Sequence, residues 1–561
     1  MKDHPADGSL NIASKLEQLA ACQPWKRALV YPESRDGAGR VAYSHLTFSQ
    51  LNALADAYAW GLTSTGIQPA MRVLLMVRPS LEFTALVFAL LKIGAVPVLI
   101  DPGMGWRKFM ACVAEVAPQG FLGVPAAHVM RLLFPGKFRS VKVPVTLGRR
   151  WFWGGAALAD LRHTERGTFP VCETQADDVA AILFTTGSTG PAKGVIYTHR
   201  IFDTQIRFLR DFYGITPDEV DLPCFPLFGL FSTALGVTAI IPEMDPTRPA
   251  DVDPERIIEA VNDHGVTYSF GSPALWRTVS AYCMAKQVRL PSLQRVYMAG
   301  APIPGYLHDR MLNHVLPPGA DIVTPYGATE CLPVASFTGT EMLAGTRDKT
   351  ARGEGICVGK PVPEATVRII RISDEAMPTW DDGRSLPDGE IGEIAVTGPM
   401  VTPAYLNRQE QTELAKIHDG DRLWHRMGDL GYLDAAGRLW VCGRKSHRVI
   451  TADVTLFTVC CEAIFNEHPD VYRSALVGIG GDRQRQRPVI VIEPEPGKMP
   501  ASPAARLCFT EELVDLARAN PLTASIQDLL FHPAFPVDIR HNAKIRREDL
   551  AVWASAAVAA E

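Results

Sequence analysis

A stretch of ten residues, 185–194, combines hydroxyl, glycine and lysine side chains at a density that suits a polyphosphate. It reads TTGSTGPAKG, with four hydroxyls, three glycines and one lysine. Glycines let backbone N–H groups approach phosphate oxygens, hydroxyls donate hydrogen bonds, and a lysine offsets negative charge. It is not a Walker A loop, which needs G-x-x-x-x-G-K-[ST], because Lys193 follows Gly190 by three positions. The candidate phosphate-binding residues are Thr185, Thr186, Gly187, Ser188, Thr189, Gly190 and Lys193.

The segments that must position this stretch alternate between helical and strand patterns. Apolar residues recur at helical spacing over 46–62 and 82–92, while 72–77, 96–100 and 179–184 are short apolar runs typical of buried strands. This alternation predicts βαβ units around parallel sheets, an α/β fold. It also places the glycine-rich stretch at the end of a strand, with a flexible surface turn as the alternative.

The chain changes character after Gly443. The charged segment GRKSHR separates an aromatic, strand-like stretch, 439–442, from a new apolar run. We therefore predict a large domain over residues 1–444 and a small domain over residues 445–561, the second close to the typical size of a domain.

Composition excludes several classes of protein. The 561 residues are 47% hydrophobic and 21% charged, which argues against disorder, a collagen-like fibre and a disulfide-stapled miniprotein. A formal net charge of -5 gives no overall electrostatic footprint for nucleic acid, so we expect no nucleic-acid partner. The eleven cysteines form no C-x-x-C motif and the first residues lack the apolar core of a signal peptide, so we expect a cytoplasmic location.

Residues 134–170 are interpreted as an insertion. Several lysines and arginines there lie beside Trp151, Phe152 and Trp153. This cluster suits a peripheral contact with a membrane or a partner protein. The alternative is a solvated loop with its aromatic side chains tucked in.

Five further motifs follow the glycine-rich stretch in a fixed order: AGAP at 299–302, YGATE at 326–330, GD at 428–429, GR at 443–444 and NAKI at 542–545. Together these motifs resemble the adenylate-forming superfamily of acyl-CoA synthetases, luciferases and peptide-synthetase adenylation domains, over nearly the whole chain. The resemblance implies a large N-terminal domain of layered mixed sheets and helices that binds ATP and an acyl substrate. It also implies a small, mobile C-terminal α+β domain that carries a catalytic lysine.

The resemblance also implies roles for individual residues, with ATP and Mg²⁺ as cofactors. Lys544, Glu330 and Thr329 are the implied catalytic residues, with Glu330 also the metal ligand because Mg²⁺ prefers oxygen ligands and phosphate partners. Lys544 would place a cation where negative charge accumulates at the α-phosphate. The residues implied to contact adenosine are Gly300, Ala301, Pro302, Tyr326, Gly327, Asp429 and Arg444.

Longer stretches narrow the resemblance. LPCFPLFGLFSTALG, FGSPALWR, TPYGATECLPVA and HPAFPVDIRHNAKI resemble the β-lactone synthetases of bacterial long-chain olefin biosynthesis (OleC-type enzymes). The resemblance implies that the carboxylate of a 2-alkyl-3-hydroxyalkanoic acid is adenylated and that its own β-hydroxyl then displaces AMP. Partners would be this 2-alkyl-3-hydroxy fatty acid and a complex with other olefin-pathway enzymes.

The acyl pocket is expected at Phe228 and Gly229, where relatives often have a histidine after the phenylalanine, so that Gly229 would widen the pocket. His199 is a candidate base for the β-hydroxyl by its position after the phosphate loop, with a structural role as the alternative. Two alternative functions stay open: a long-chain fatty acyl-CoA ligase and a catalytically idle nucleotide-binding scaffold. Ser446 at the hinge position and a glycine-free segment at 449–457 argue against coenzyme A as acceptor.

Overall fold

Two large sheets and a small C-terminal module make up the computed structural model, which describes residues 10–162, 166–185, 191–537 and 545–560. In chain order the strands are β1 (Arg27–Arg35), β2 (Val41–Thr47), β3 (Arg72–Met76), β4 (Val96–Ile100), β5 (Gly120–Gly123), β6 (Val143–Thr146), β7 (Ala156–Ala157), β8 (Val179–Thr185), β9 (Lys193–Thr198), β10 (Val220–Pro223), β11 (Thr238–Ile240), β12 (Tyr268–Gly271), β13 (Arg295–Met298), β14 (Asp321–Ala328), β15 (Cys331–Thr338), β16 (Ile356–Pro361), β17 (Thr366–Ile370), β18 (Gly392–Thr397), β19 (Lys416–Asp419), β20 (Arg422–Leu433), β21 (Leu439–Arg444), β22 (Val449–Ile450), β23 (Thr455–Leu456), β24 (Val471–Ile479), β25 (Arg487–Pro494) and β26 (Asp528–Phe531).

The helices connect these strands. They are α1 (Ser14–Cys22), α2 (Phe48–Ser64), α3 (Leu81–Ile93), α4 (Trp106–Val116), α5 (Pro125–Leu133), α6 (His199–Arg207), α7 (Phe228–Ala234), α8 (Pro254–His264), α9 (Pro273–Lys286), α10 (Gly305–Arg310), α11 (Gly339–Glu341), α12 (Arg347–Ala351), α13 (Gln409–Ala415), α14 (Thr458–Phe465), α15 (Pro503–Ala519) and α16 (Arg547–Ala560). The predicted helices and strands of the first third are confirmed as α2, β3, α3, β4 and β8.

The first large sheet, sheet A, has the strand order β7-β6-β5-β3-β4-β8-β9. Its pairs from β7 to β8 are parallel, and β8 and β9 form an antiparallel hairpin in which Thr185 lies opposite Lys193. The glycine-rich stretch therefore connects the two strands of this hairpin, as the sequence predicts. Residues 186–190 themselves lie outside the described part of the chain.

The second large sheet, sheet B, has the order β17-β18-β20-β21-β16-β15-β14-β13-β12-β10-β11-β1-β2, with β19 paired to β20. The pairs from β10 to β14 are parallel, and those from β14 to β17 are antiparallel. One core cluster joins α2 and α3 to residues of both sheets, so helices fill the space between two sheet layers. The layered α/β architecture expected from the resemblance is confirmed.

Helix α3 shows why the sequence folds as it does here. It begins at a Ser80 side chain that accepts a hydrogen bond from Phe83 N and ends at Gly94 in the left-handed conformation, φ 76°. A serine N-cap and a glycine C-cap are typical helix boundaries. Lys92, fully buried on this helix, pairs with Asp56 at 2.5 Å and Glu17 at 3.1 Å. Burial of so polar a group is possible because it is paired.

The small C-terminal module contains the sheet β24-β25-β26 and helices α14 to α16. Its core includes Val449, Phe465, Leu476 and Ile490. Before Val449 the chain still contacts the large domain, because Lys445 pairs with Glu393 at 2.9 Å and Arg448 with Asp374 at 2.7 Å. The predicted boundary at residue 445 stays a prediction, and these contacts favour a change of domain close to Val449. In the described part of the chain no helix is long and apolar enough to cross a membrane.

Candidate active site

A continuous cavity of about 1730 Å³ is lined by residues of both large sheets. One part of its wall is polar and comes from β9, β14, β20 and β21. The other part is apolar and comes from α3, α5, α7 and β12. Pockets of this kind, apolar with a few convergent polar groups, are typical of ligand sites. The cavity is therefore wide enough for a nucleotide and a large apolar group in one space.

Tyr326, Asp429 and Arg444 form a connected polar group on three strands of sheet B, β14, β20 and β21. Asp429 and Arg444 lie opposite each other in the β20–β21 pair. The Tyr326 hydroxyl donates to Asp429 Oδ2 at 2.7 Å, and Arg444 Nε lies 2.9 Å from Asp429 Oδ1. Burial and the Asp429 carboxylate raise the pKa of Tyr326 well above its usual range, so the phenol stays a donor. Residues separated by about a hundred positions are thus fixed together by hydrogen bonds.

Glu330 lies in the turn between β14 and β15, beside two residues from other elements. The Tyr405 hydroxyl donates to Glu330 Oε1 at 2.7 Å. Lys193 Nζ lies 4.6 Å from the centre of the Tyr405 ring, within the range of a cation–π interaction. Burial lowers the pKa of Lys193, and the nearby Glu330 carboxylate opposes this effect. All three residues line the cavity, so a carboxylate and a cation face the same space.

The main chain around Glu330 is held by donors from two further residues, Tyr197 and Thr402, and Lys416 lies behind Thr402. The Tyr197 hydroxyl donates to Thr329 O at 2.7 Å. Thr402 donates to Glu330 O twice, from its backbone N at 2.9 Å and from Oγ1 at 3.0 Å. Lys416 Nζ lies 3.5 Å from Thr402 Oγ1, at the long limit for a hydrogen bond. Lys416 is only 3% exposed, and burial lowers its pKa to about 8. The turn that carries Thr329 and Glu330 is therefore fixed from behind.

The loop after β13 supplies the remaining residues predicted near the adenosine. Gly300, Ala301 and Pro302 line the cavity, as do Gly327 and Thr329. The structure thus brings these motif residues to one wall together with Tyr326, Asp429 and Arg444. Their individual contacts to a nucleotide stay predictions.

Aromatic side chains form much of the apolar wall. Phe228, at the start of α7, stacks on Phe270 of β12 with ring centres 3.7 Å apart. Phe231 and Phe202 extend this surface from α7 and α6, and their ring centres lie 5.9 Å apart. Residues of α3 and α5 line the cavity from the side of sheet A. Phe228 thus lies on the apolar wall of the cavity, and its role in an acyl pocket stays a prediction.

Gly229 and His199 lie elsewhere. Gly229 lines a separate cavity of about 30 Å³, and a Cβ built there would lie 3.2 Å from Pro223 Cγ. A side chain at this position would therefore meet Pro223, and the width of the large cavity comes from other residues. His199 is 2% exposed and absent from the cavity wall, and its Nδ1 accepts a hydrogen bond from Ile12 N at 3.2 Å. Burial lowers the pKa of His199 to about 4, so the imidazole is neutral, which favours the structural alternative.

Several predicted residues fall outside the described part of the chain. They are Thr186, Gly187, Ser188, Thr189, Gly190 and Lys544. The backbone of Thr185 ends β8 beside the cavity wall at Phe184. Ile545, which directly follows Lys544 in the sequence, lines the cavity together with Arg547. The C-terminal module therefore contributes to the same site as the large domain.

The sequence reasoning missed Tyr405, Tyr197, Thr402 and Lys416. None of them lies in a motif that was singled out, and each acts through a contact between elements distant in sequence. Tyr405 carried one usable signal, an aromatic residue at the end of a segment, 398–405, that contains one glycine and two prolines, where a polar loop is expected.

The residues at Glu330 fit a magnesium ion of the kind that accompanies nucleotide phosphates. Mg²⁺ commonly takes one or two protein carboxylates and completes its shell with phosphate oxygens and water. Across the described ranges no group of three or more His, Cys, Asp or Glu is placed to hold a metal. Glu330 supplies one carboxylate to the cavity, which matches this pattern. The site does not resemble a metal cage built from protein ligands alone.

The fold and the site define an α/β protein with one large cavity. One wall of this cavity carries polar residues suited to a nucleotide, and the other wall is broad and apolar. A family model described as "AMP-binding enzyme" matches residues 16–406, and the chain belongs to this family of adenylate-forming enzymes.

Individual relatives indicate a narrower class of enzyme than the family model does. The chain is 48% identical to an "Olefin beta-lactone synthetase" of Xanthomonas campestris pv. campestris over 97% of either chain. It is 48% identical to an enzyme of the same name from Stenotrophomonas maltophilia, over 97% of this chain and 98% of that one. Among solved structures, the anthranilate CoA ligase AuaEII in complex with anthranoyl-AMP superposes over 100% of both chains, with a TM-score of 0.79 and 19% identity. That likeness supports the fold.

Proposed function

We propose that this chain is an ATP-dependent β-lactone synthetase. It adenylates a 2-alkyl-3-hydroxyalkanoic acid and closes the product to a β-lactone, with release of pyrophosphate and AMP, in long-chain olefin biosynthesis. The observation that carries the proposal is the 48% identity, over nearly the full length of the chain, to two enzymes named for this activity. The continuous cavity, polar at one end and apolar at the other, supports it independently.

In the first step a carboxylate oxygen of the acid attacks the α-phosphorus of ATP and pyrophosphate leaves. Lys193, Arg444 and the proposed Lys544 supply positive charge on the polar side of the cavity. Cations placed where charge develops stabilise the transition state. Asp429 is positioned to accept hydrogen bonds from ribose hydroxyls, since Tyr326 and Arg444 already fix its orientation.

In the second step the β-hydroxyl oxygen of the same molecule attacks the acyl carbon. A C–O bond closes the four-membered ring, the bond from the acyl carbon to the AMP oxygen breaks, and the hydroxyl proton leaves. Attack within one molecule gains from proximity, up to about 7–11 kcal/mol in well-oriented cases. The chain's contribution is to hold the two arms of the acid in the apolar part of the cavity and to exclude water that would hydrolyse the adenylate.

The aromatic wall supports this task. Phe228, Phe231 and Phe270 form one side of the apolar space, and residues of α3 and α5 form the opposite side. The two alkyl arms, which start from adjacent carbons of the acid, need such a space with two walls. His199 is removed from it, so we assign no protein base to the β-hydroxyl among the described residues.

Magnesium is part of the proposal, with Glu330 as its protein ligand. The ion neutralises phosphate charge when it is bound. Tyr405 holds Glu330 Oε1, which orients the carboxylate toward the cavity.

A product analysis tests the proposed function. Purified protein is incubated with MgATP and a synthetic 2-alkyl-3-hydroxy acid in buffer free of coenzyme A, and the products are identified by mass spectrometry. We expect AMP and the β-lactone in equal amounts. The matched control is the same 2-alkyl acid without its hydroxyl, which should stop at the adenylate.

Two outcomes overturn the proposal. A thioester formed from a plain fatty acid and coenzyme A, with no cyclic product from the hydroxy acid, identifies a long-chain fatty acyl-CoA ligase. ATP binding without pyrophosphate release on any acid identifies an idle scaffold. A complex with other olefin-pathway enzymes stays a prediction from the family.

A further inference from the structure

An exposed apolar surface lies at the outer end of α5 and on the neighbouring loops. We call it the basic-aromatic face and define it by Trp106, Leu132, Leu133, Phe134, Trp151 and Phe152. Phe152 is 83% exposed, Leu133 70% and Trp106 61%. Side chains of this size exposed together mark interaction sites more often than single exposed residues do.

The face has internal order. Trp106 stacks on Phe134 with ring centres 5.9 Å apart, which joins α4 to the end of α5. Trp153, in contrast, is buried and stacks parallel to His128 of α5 at 5.3 Å. The loop thus anchors one aromatic residue on α5 and leaves its neighbours Trp151 and Phe152 in solvent. The alternative of a solvated loop with its aromatic side chains tucked in therefore holds for Trp153 but not for Trp151 and Phe152.

Positive charge surrounds this face. Residues 102–157 contain eight lysines and arginines and one acid, Glu115, in a chain whose formal net charge is -5. Glu115 is paired with Arg408 at 2.7 Å. None of the eight bases forms an ion pair with another described residue. Seven of the eight are exposed and Arg131 is half-buried, so most of the local excess of charge faces solvent and suits an anionic surface.

The face is continuous with the cavity. Ala126 and Met130 of α5 line the cavity wall. Residues three or four apart share one side of a helix, so Leu133 extends the row of Ala126 and Met130 outward, and Phe134 directly follows the end of the helix. Pro102 and Gly103 are exposed cavity-lining residues that precede Trp106 by a few positions. An apolar path therefore runs along α5 from the cavity to the basic-aromatic face.

We propose that the basic-aromatic face docks on an anionic phospholipid surface. Aromatic and leucine side chains enter the headgroup region while the surrounding bases contact lipid phosphates, as in interfacial anchors. The same contact aims the cavity mouth at the bilayer, so that a two-chain hydroxy acid enters without crossing water. This delivery role rests on the proposed function, whereas the docking does not.

Sedimentation of the full-length protein with vesicles tests the docking. One set of vesicles is phosphatidylcholine alone, and the other contains about one-third phosphatidylglycerol. We expect binding to the anionic set, weakened by added salt. The double variant Arg139→Gln/Arg149→Gln should lower the partition about thirtyfold. Leu133→Ser/Phe152→Ser should also lower it, because it removes the apolar anchors.

Matched controls are available on other surfaces of the chain. Arg483→Gln/Arg485→Gln removes the same charge from an exposed loop of the small module, and Trp25→Ser removes a side chain that is also 83% exposed. Both should bind vesicles like the parent. Equal loss in controls and variants, equal binding to neutral vesicles, or no vesicle binding at all overturns the proposal. In the last case an acidic protein becomes the occupant of this face.

Failure of the docking and failure of the proposed function give different results. Pyrophosphate release from a short-chain, water-dispersed hydroxy acid should be the same in every variant, which also shows that each one folds. Turnover of a long-chain acid embedded in anionic vesicles should fall only in the variants of the face. Absence of β-lactone from both substrates contradicts the function and leaves the vesicle result standing.

Discussion

Lys416→Met is expected to stabilise the protein near neutral pH. Lys416 is 3% exposed, and its ammonium has one long contact, 3.5 Å, to Thr402 Oγ1. Burial lowers its pKa from 10.5 to about 8, and the attraction of Glu330 only partly opposes this shift. A shift of this size corresponds to about 3 kcal/mol of folding free energy lost by burying the charged form. Methionine has a similar shape and no charge, and Thr402 keeps its bonds to Glu330 O.

The gain should depend on pH with a defined sign. Below pH 8 the lysine is charged in both the folded and the unfolded chain, so the parent bears the full penalty. Between pH 8 and 10.5 the unfolded chain binds more protons than the folded one, so the stability of the parent rises with pH. The advantage of the methionine variant should therefore be about 3 kcal/mol at pH 7 and about 1.5 kcal/mol at pH 9.5.

Urea unfolding of the full chain measures this difference. Because a protein of two domains need not unfold in one step, the comparison uses the shift of the transition that the variant affects. Lys360→Met, at an exposed lysine of β16, is the matched control and should change neither value. A variant less stable than the parent at pH 7, or a gain that is unchanged at pH 9.5, would falsify the reasoning. Either result means that a favourable ion pair, rather than a desolvation penalty, dominates at Lys416.

Substitutions at three further positions probe the proposed adenylation chemistry. Lys544→Ala should slow adenylation about 10²–10³-fold, as expected for loss of one charge-stabilising donor, with ATP affinity retained; an unchanged rate of pyrophosphate release removes its catalytic role. Glu330→Gln should raise the Mg²⁺ concentration at half-maximal rate, and an identical Mg²⁺ titration excludes Glu330 as a ligand. Tyr405→Phe keeps the ring beside Lys193 but removes the donor to Glu330, so adenylation should slow about tenfold or more. Tyr405→Leu, which removes both contacts, should slow it further, and equal rates for the two variants contradict a separate role for the ring.

The motif residues could be placed in one site because their motifs resemble, in order, those of the adenylate-forming superfamily. Tyr326, Asp429 and Arg444 lie up to 118 positions apart. The resemblance implied one site, and the structure joins the three residues through two polar contacts. The alternation of helices and strands in the first third was predictable for a different reason, since buried strands and helices differ in length and period.

The supporting residues could not be predicted in the same way. Tyr405 and Lys416 act through partners on other elements, and a single sequence does not record which loop faces which turn. Gly229 illustrates the related error. A missing side chain widens a pocket only if its Cβ direction points into the pocket, and the orientation of α7 directs that vector to Pro223. Side-chain direction depends on how the helix packs, which no local pattern specifies.

The segment between the two domains bears on the fate of the adenylate. In relatives that pass the acyl group to coenzyme A, the small domain rotates at the position that Ser446 occupies here. Ion pairs tie the chain to the large domain on either side of Ser446. Lys445 pairs with Glu393, which is 1% exposed, and Arg448 pairs with Asp374. Rotation at Ser446 would break the Arg448–Asp374 pair, whereas Lys445 precedes the hinge position and would stay with Glu393 and the large domain. A nucleophile carried by the adenylate itself needs no such rotation. The Arg448–Asp374 pair thus holds the segment after Ser446 against the large domain in this arrangement, which an enzyme with an internal nucleophile can keep through both steps.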